Sequence, residues 1–131
     1  MIEDDGRRAV VMVALVAEDE PLFRMEIADL LGEAGFDVIE AGNAEGALAK
    51  LGEHHGIALL ITDVRMPGRL DGNGLAHEVE GRSPDIDIIV CSGVKDFDRG
   101  ALPGKAQFFE KPYDPAAVGA AVRRTLRRTR T

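Results

Sequence analysis

Residues 10–41 read VVMVALVAEDEPLFRMEIADLLGEAGFDVIEA. An apolar run at 10–17 stops at Glu18, Asp19 and Glu20, and Pro21 then opens a segment with Phe23, Ile27, Leu30, Leu31 and Ala34 at helical spacing. The run suits a buried strand, the spacing one face of a helix, and Gly35 a helix stop. A second short apolar run follows at 37–41. Two strands joined through a helix run parallel, because antiparallel neighbours need only a tight turn and a parallel pair needs a crossover, which turns right-handed.

The same alternation continues along the chain. Further strand-like runs lie at 58–62, 86–91 and 106–110, and helical rows pass through Ala44, Ala47, Leu48 and Leu51, through Leu75 and Val79, and through Val118, Ala121, Val122 and Leu126. Asn43 and Asp114, the latter before Pro115, supply helix starts. The weakest stretch is 94–102, VKDFDRGAL, which with the following Pro103 and Gly104 has little apolar repeat and predicts a short helix or none. Five strands alternating with helices predict an α/β fold of three layers, a doubly wound parallel sheet covered on both faces. Residues 1–8 are expected to be disordered, 9–128 to form the domain and 129–131 to fray, with no separate output domain.

At 131 residues, 45% hydrophobic and 30% charged, the chain has the balance of one folded domain, and no apolar run approaches the roughly 20 residues that cross a bilayer. The start, MIEDDGRR, does not have the form of a secretory signal, and the single cysteine, Cys91, permits no internal disulfide. A cytoplasmic protein is expected. Net charge is −7, yet Arg123, Arg124, Arg127, Arg128 and Arg130 crowd the last nine residues; the other 11 basic residues against 23 acidic ones leave the body at −12. An acidic body argues against nucleic-acid binding. The arginines read as a solvated helix end suited to the helix dipole or as a strip for an acidic partner.

In a parallel sheet every strand ends on one edge, where ligands bind. Four of the five runs deliver a polar group there: Glu18, Asp19 and Glu20 after the first, Asp63 after the third, Ser92 after the fourth, and Lys111, followed by Pro112, after the fifth. Glu20 before Pro21 reads as a helix cap. Glu18, Asp19 and Asp63 arriving together on adjacent strands repel one another unless a cation compensates. Such oxygen ligands at a partly open site suit Mg²⁺, and Lys111 adds a second positive charge.

These residues carry a resemblance to the receiver domain of two-component response regulators, over about residues 9–128. Its marks are VAEDEP at 16–21, ITDVRMPG at 61–68, Asp71–Gly72, CSG at 91–93 and FFEKPYD at 108–114. The resemblance implies a flavodoxin-like sheet of order 2-1-3-4-5, of the stand-alone chemotaxis-receiver type. It implies that Asp63 accepts a phosphoryl group, that Asp19 binds Mg²⁺ directly with Glu18 through water, and that Asp63 and the backbone carbonyl of Arg65 complete the metal site. It makes Lys111 and Ser92 the phosphoryl-stabilising groups, Ser92 and Phe108 the switch, and Pro67, Gly68 and Pro112 turn residues, with the bond from Lys111 to Pro112 often cis. The donor would be a sensor histidine kinase or a histidine phosphotransfer protein, and the output binding of a downstream protein, phosphate relay or phosphate buffering, with a homodimer as the alternative assembly to a monomer. Such a domain is not a turnover enzyme, although it catalyses its own phosphorylation and dephosphorylation. Glu18 in place of Asp and Ser92 in place of Thr are departures that keep the chemical groups.

Other motifs fail on their own terms. A calcium loop starting at Asp71 would need ligands where Leu75 and Arg82 stand, and a phosphate loop ending at Gly104–Lys105 lacks its first glycine and its hydroxyl. His54, His55 and His77 lack metal-ligand spacing, and Cys91 reads as a buried thiol. Two rival readings are an Mg²⁺-dependent phosphatase and a flavodoxin-like electron carrier. The first lacks a second aspartate, since Arg65 stands two residues past Asp63, and the second lacks a glycine or hydroxyl loop after the first strand.

Overall fold

The computed structural model describes residues 12–93 and 98–130. The segment expected to be disordered, the first residues of the first strand, residues 94–97 and Thr131 lie outside them. Five parallel strands, β1 (Val13–Ala17), β2 (Asp37–Ala41), β3 (Ile57–Thr62), β4 (Asp87–Ser92) and β5 (Gln107–Glu110), form one sheet in the order 2-1-3-4-5. Helices α1 (Pro21–Ala34), α2 (Ala44–Glu53), α3 (Gly72–Arg82) and α4 (Pro115–Arg130) complete the three layers. This is the doubly wound architecture expected from the alternation.

The pleat explains the layering. Alternate residues of β1 go to opposite faces: Leu15 and Ala17 join Ala44, Ala47, Leu75 and Val79 of α2 and α3, whereas Ala14 and Val16 join Ile27, Leu31, Val118 and Val122 of α1 and α4. β3 lies at the centre of the sheet with all six residues buried, which is why its sequence, IALLIT, is apolar without alternation.

Local chemistry sets the helix ends. Glu20 Oε1 accepts from the amides of Leu22 at 2.7 Å and Phe23 at 3.3 Å, Asn43 Oδ1 from Gly46 at 2.7 Å, Asp71 Oδ1 from Gly74 at 2.9 Å and Asp114 Oδ1 from Ala116 at 3.0 Å. Each satisfies an amide that the helix itself leaves unpaired. Gly35 ends α1 at φ 111°, a left-handed conformation that a side chain would strain.

The expectation of a short helix or none at 94–102 holds for its described part, and two others are corrected. The described part of 94–102 forms only a single 3₁₀ turn at Arg99–Ala101, capped by Asp98, because glycine and proline interrupt any longer repeat. Phe23, placed above in the apolar row of α1, is 38% exposed, with its ring against the Lys111 ammonium. The last helix also continues to Arg130, past the boundary drawn at 128.

Candidate functional site

Sheet register brings the carboxylates together. Ala17 pairs with Ala41 on one side and Thr62 on the other, so Glu18 and Asp63 leave adjacent strands side by side. The amide of Asp63 donates to the Ala17 carbonyl at 3.1 Å and the amide of Glu18 to the Ala41 carbonyl at 3.0 Å. Carboxylate oxygens of Glu18, Asp19 and Asp63 lie within 4.8 Å of one another, the one group of this kind among the described residues. Their environments differ: Glu18 is buried, Asp63 half-buried and Asp19 exposed.

Lys111 reaches this cluster from the end of β5. Its amide donates to the Ser92 carbonyl at 2.9 Å, extending the β4–β5 ladder, and its bond to Pro112 is cis. The ammonium donates to Glu18 Oε1 at 2.7 Å and to Asp63 Oδ2 at 3.1 Å. Burial works against the lysine's charge, but the bond to Glu18 and the charges of Asp63 and Glu18 outweigh it and hold Lys111 above the ordinary lysine range. Burial also pushes the Glu18 carboxyl up, opposed by the same hydrogen bond. Lys111 therefore stays an ammonium throughout the neutral range.

The remaining oxygens are oriented by main chain. Glu18 Oε2 accepts from the amide of Glu20 at 3.1 Å, and Asp63 Oδ1 from the amide of Val64 at 2.6 Å. Arg24 closes the back of the site, donating to the Glu18 carbonyl at 2.8 Å and pairing with Glu40 at 3.2 Å. The Phe23 ring lies over the Lys111 ammonium, 4.3 Å from the centroid, a cation–π contact on the solvent side.

The loop after Asp63 is held from two directions. Gly72 donates to the Val64 carbonyl at 2.7 Å and packs directly on the Asp63 main chain. Gly68 turns at φ 111°, and Glu45 of α2 accepts the amides of Arg69 at 2.9 Å and Leu70 at 3.2 Å. Pro67 and Arg65 are exposed in this loop. Ser92 ends β4, fully buried, beside Glu110 and Lys111. Phe108 is half-buried on the α2–α3 side, with the Arg99 guanidinium 4.3 Å above its ring and Arg99 also 3.6 Å from Glu110. His77 donates from Nε2 to the Ala101 carbonyl at 2.5 Å and ties α3 to the 3₁₀ turn.

Sequence reading thus located Glu18, Asp19, Asp63 and Lys111, which the structure brings together. It missed Phe23, Arg24 and Glu45. Phe23 has the i, i+4 spacing of a core residue with Ile27, and nothing local marks a glutamate on α2 as the anchor of a loop 24 residues later.

The comparisons with known proteins point the same way. The family model described as response regulator receiver domain matches residues 14–123. The chain is 38% identical over 129 residues to the transcriptional regulatory protein AruR of Pseudomonas aeruginosa, covering 93% of this chain and 52% of that protein. It is 33% identical to the transcriptional regulatory protein PdtaR of Mycobacterium tuberculosis, covering 96% of this chain and 62% of the relative. It therefore spans between about half and two thirds of those relatives. A response regulator receiver domain protein from Clostridium thermocellum superposes with a TM-score of 0.81 at 26% identity, covering 92% of this chain and 98% of that one.

Proposed function

The chain belongs to the response regulator receiver domain family, which serves phosphorylation-dependent signalling, and on that premise we propose that Asp63 is its phosphoacceptor. The observation that carries this reading is the placement of Lys111, whose ammonium bridges Glu18 and Asp63 beside a third carboxylate, Asp19. Three carboxylates and one ammonium leave an excess of two negative charges, the complement of one divalent cation. Hard oxygen donors at a half-open edge fit Mg²⁺. Asp19 and Asp63 would hold it, with the Arg65 carbonyl, while Glu18, engaged by Lys111 and the Glu20 amide, acts through water. When bound, the ion would neutralise charge on the phosphoryl oxygens.

The chain's own groups account for the rest. A carboxylate oxygen of Asp63 attacks phosphorus of a phosphohistidine, the N–P bond breaks, the imidazole leaves with the electron pair, and an acyl phosphate remains. No general base is required because a carboxylate attacks as the anion. Lys111, already an ammonium, meets a phosphoryl oxygen as its contact with Asp63 loosens, and the Ser92 hydroxyl serves a second oxygen. Ser92 and Phe108 on neighbouring strands β4 and β5 would carry the change outward to the surface around Arg99. The partners in this reading are a histidine kinase or histidine phosphotransfer protein in the cytoplasm and a downstream protein that reads the phosphorylated face.

Acetyl phosphate with Mg²⁺ is expected to place one acid-stable, base-labile phosphoryl group on the chain, mapped to Asp63 and absent from Asp63→Asn. Labelling that persists in that variant, or sustained turnover of a phosphate ester, would overturn the assignment.

A further inference from the structure

At the edge of the sheet opposite the carboxylates, β4 begins at Asp87 and β5 at Gln107, and Thr125 and Arg124 of α4 bond these two residues. A cavity of about 550 Å³ opens there, within the range of small-ligand pockets. Its floor is apolar, with Ile89 and Ala121 both buried. Its rim is cationic: Lys105, Arg124, Arg127 and Arg128 line it together with a single carboxylate, Asp87. In a chain of net charge −7 this is a local reversal of sign.

The one carboxylate is already engaged. Asp87 accepts from Thr125 Oγ1 at 2.6 Å and from Arg128. Lys105 and Arg124 donate their hydrogen bonds to neutral oxygens, the Pro84 carbonyl and, at 3.3 Å, Gln107 Oε1, while Asp87, the one carboxylate of the lining, also feels the Lys105 charge. Arg124, Arg127 and Arg128 stand at i, i+3 and i+4 on one helix face, where like charges repel. The helix dipole favours cations near a C-terminus. It does not explain their convergence with Lys105 of another segment around one apolar-floored concavity.

We propose that this cavity binds a small phosphorylated ligand of the nucleotide class. Its phosphate meets the forked guanidiniums of Arg124 and Arg127 and the Lys105 ammonium, and its flat ring lies on Ile89 and Ala121. An oligonucleotide is disfavoured because the acidic body surrounding the cavity repels a long phosphate chain.

Equilibrium dialysis of the full chain against labelled AMP, ATP and GTP in EDTA tests this away from any metal-dependent anion site. At least one nucleotide is expected to bind saturably at one per chain. The double variant Arg124→Ala, Arg127→Ala is expected to weaken it about tenfold or more, the loss of a charge-assisted contact, and Asp63→Asn to leave it unchanged. Both arginines are exposed, and Arg127→Gln alone serves as the second variant if the double one unfolds. Absence of saturable binding, or indifference to the arginines, would overturn the proposal. So would loss of binding in Asp63→Asn, which would place the anion at the other edge, or binding of polyglutamate with no nucleotide bound.

Discussion

Gly72 rests against the main chain of Asp63 so closely that a β-carbon on it would stand 1.6 Å from the Asp63 carbonyl oxygen. The start of α3 is thereby packed onto the residue assigned as phosphoacceptor, and the Gly72 amide holds the next carbonyl, that of Val64, at 2.7 Å. The close approach involves backbone on both sides, so no rotamer change relieves a clash. Gly72→Ala is expected to lose about 3 kcal/mol, the upper part of the range for overpacking, read from urea unfolding. Stability equal to the parent would show that α3 can shift freely.

Lys111→Met keeps the length of the side chain and removes its charge. Without divalent cations Glu18 then remains buried opposite Asp63 with no ammonium between them, and a loss of about 3 kcal/mol is expected. Millimolar Mg²⁺ should recover part of it, and calorimetry should find tighter Mg²⁺ binding because no ammonium competes. Labelling of Asp63 by acetyl phosphate should fall about a hundredfold, as for removal of one donor from a preorganised anion site.

Much of this was legible in the sequence, for reasons that differ from residue to residue. The three inner strands, β1, β3 and β4, are buried along nearly their whole length and so read as apolar runs, and Gly35, Asn43 and Asp114 mark turns whose chemistry is local. Glu18, Asp63 and Lys111 could be grouped because a parallel sheet gathers strand ends along one edge. Phe23, Glu45 and the cavity beside α4 could not, since each depends on which elements meet in space. The stretch at 94–102 was legible only as a weak helix, and its described part is one 3₁₀ turn.

Cys91 lies in β4 with its thiol pushed up to about 12 by burial, a shift only partly offset by Lys111. At about pH 8 an ordinary thiol is substantially thiolate; this one is not. Disulfide reagents are expected to leave it untouched in the native protein and to titrate one thiol per chain in denaturing urea. Rapid native labelling would contradict the placement of β4.

Asp87 ties the start of β4 to α4. Burial alone would raise its carboxyl, but hydrogen bonds from Arg128 and Thr125 outweigh this and hold it below the ordinary range. A depressed folded pKa stabilises the fold above the unfolded carboxylate value, about 3.9, and that contribution disappears as pH falls through the lower folded value. Thr125→Val should cost about 1.5–3 kcal/mol at neutral pH for a lost bond to a charged group. The difference from the parent should shrink on acidification below about pH 4; a gap constant with pH would assign the loss to packing.

The sheet's outer border at β5 has only four residues, Gln107–Glu110, and proline stands shortly before it and again two residues after it, at Pro103 and Pro112. Pro112 offers no amide hydrogen, so a foreign strand laid along this border finds a short template that breaks off where it would need to extend. The arrangement that presents Lys111 to the carboxylates therefore also protects the molecule against fibril growth from that side.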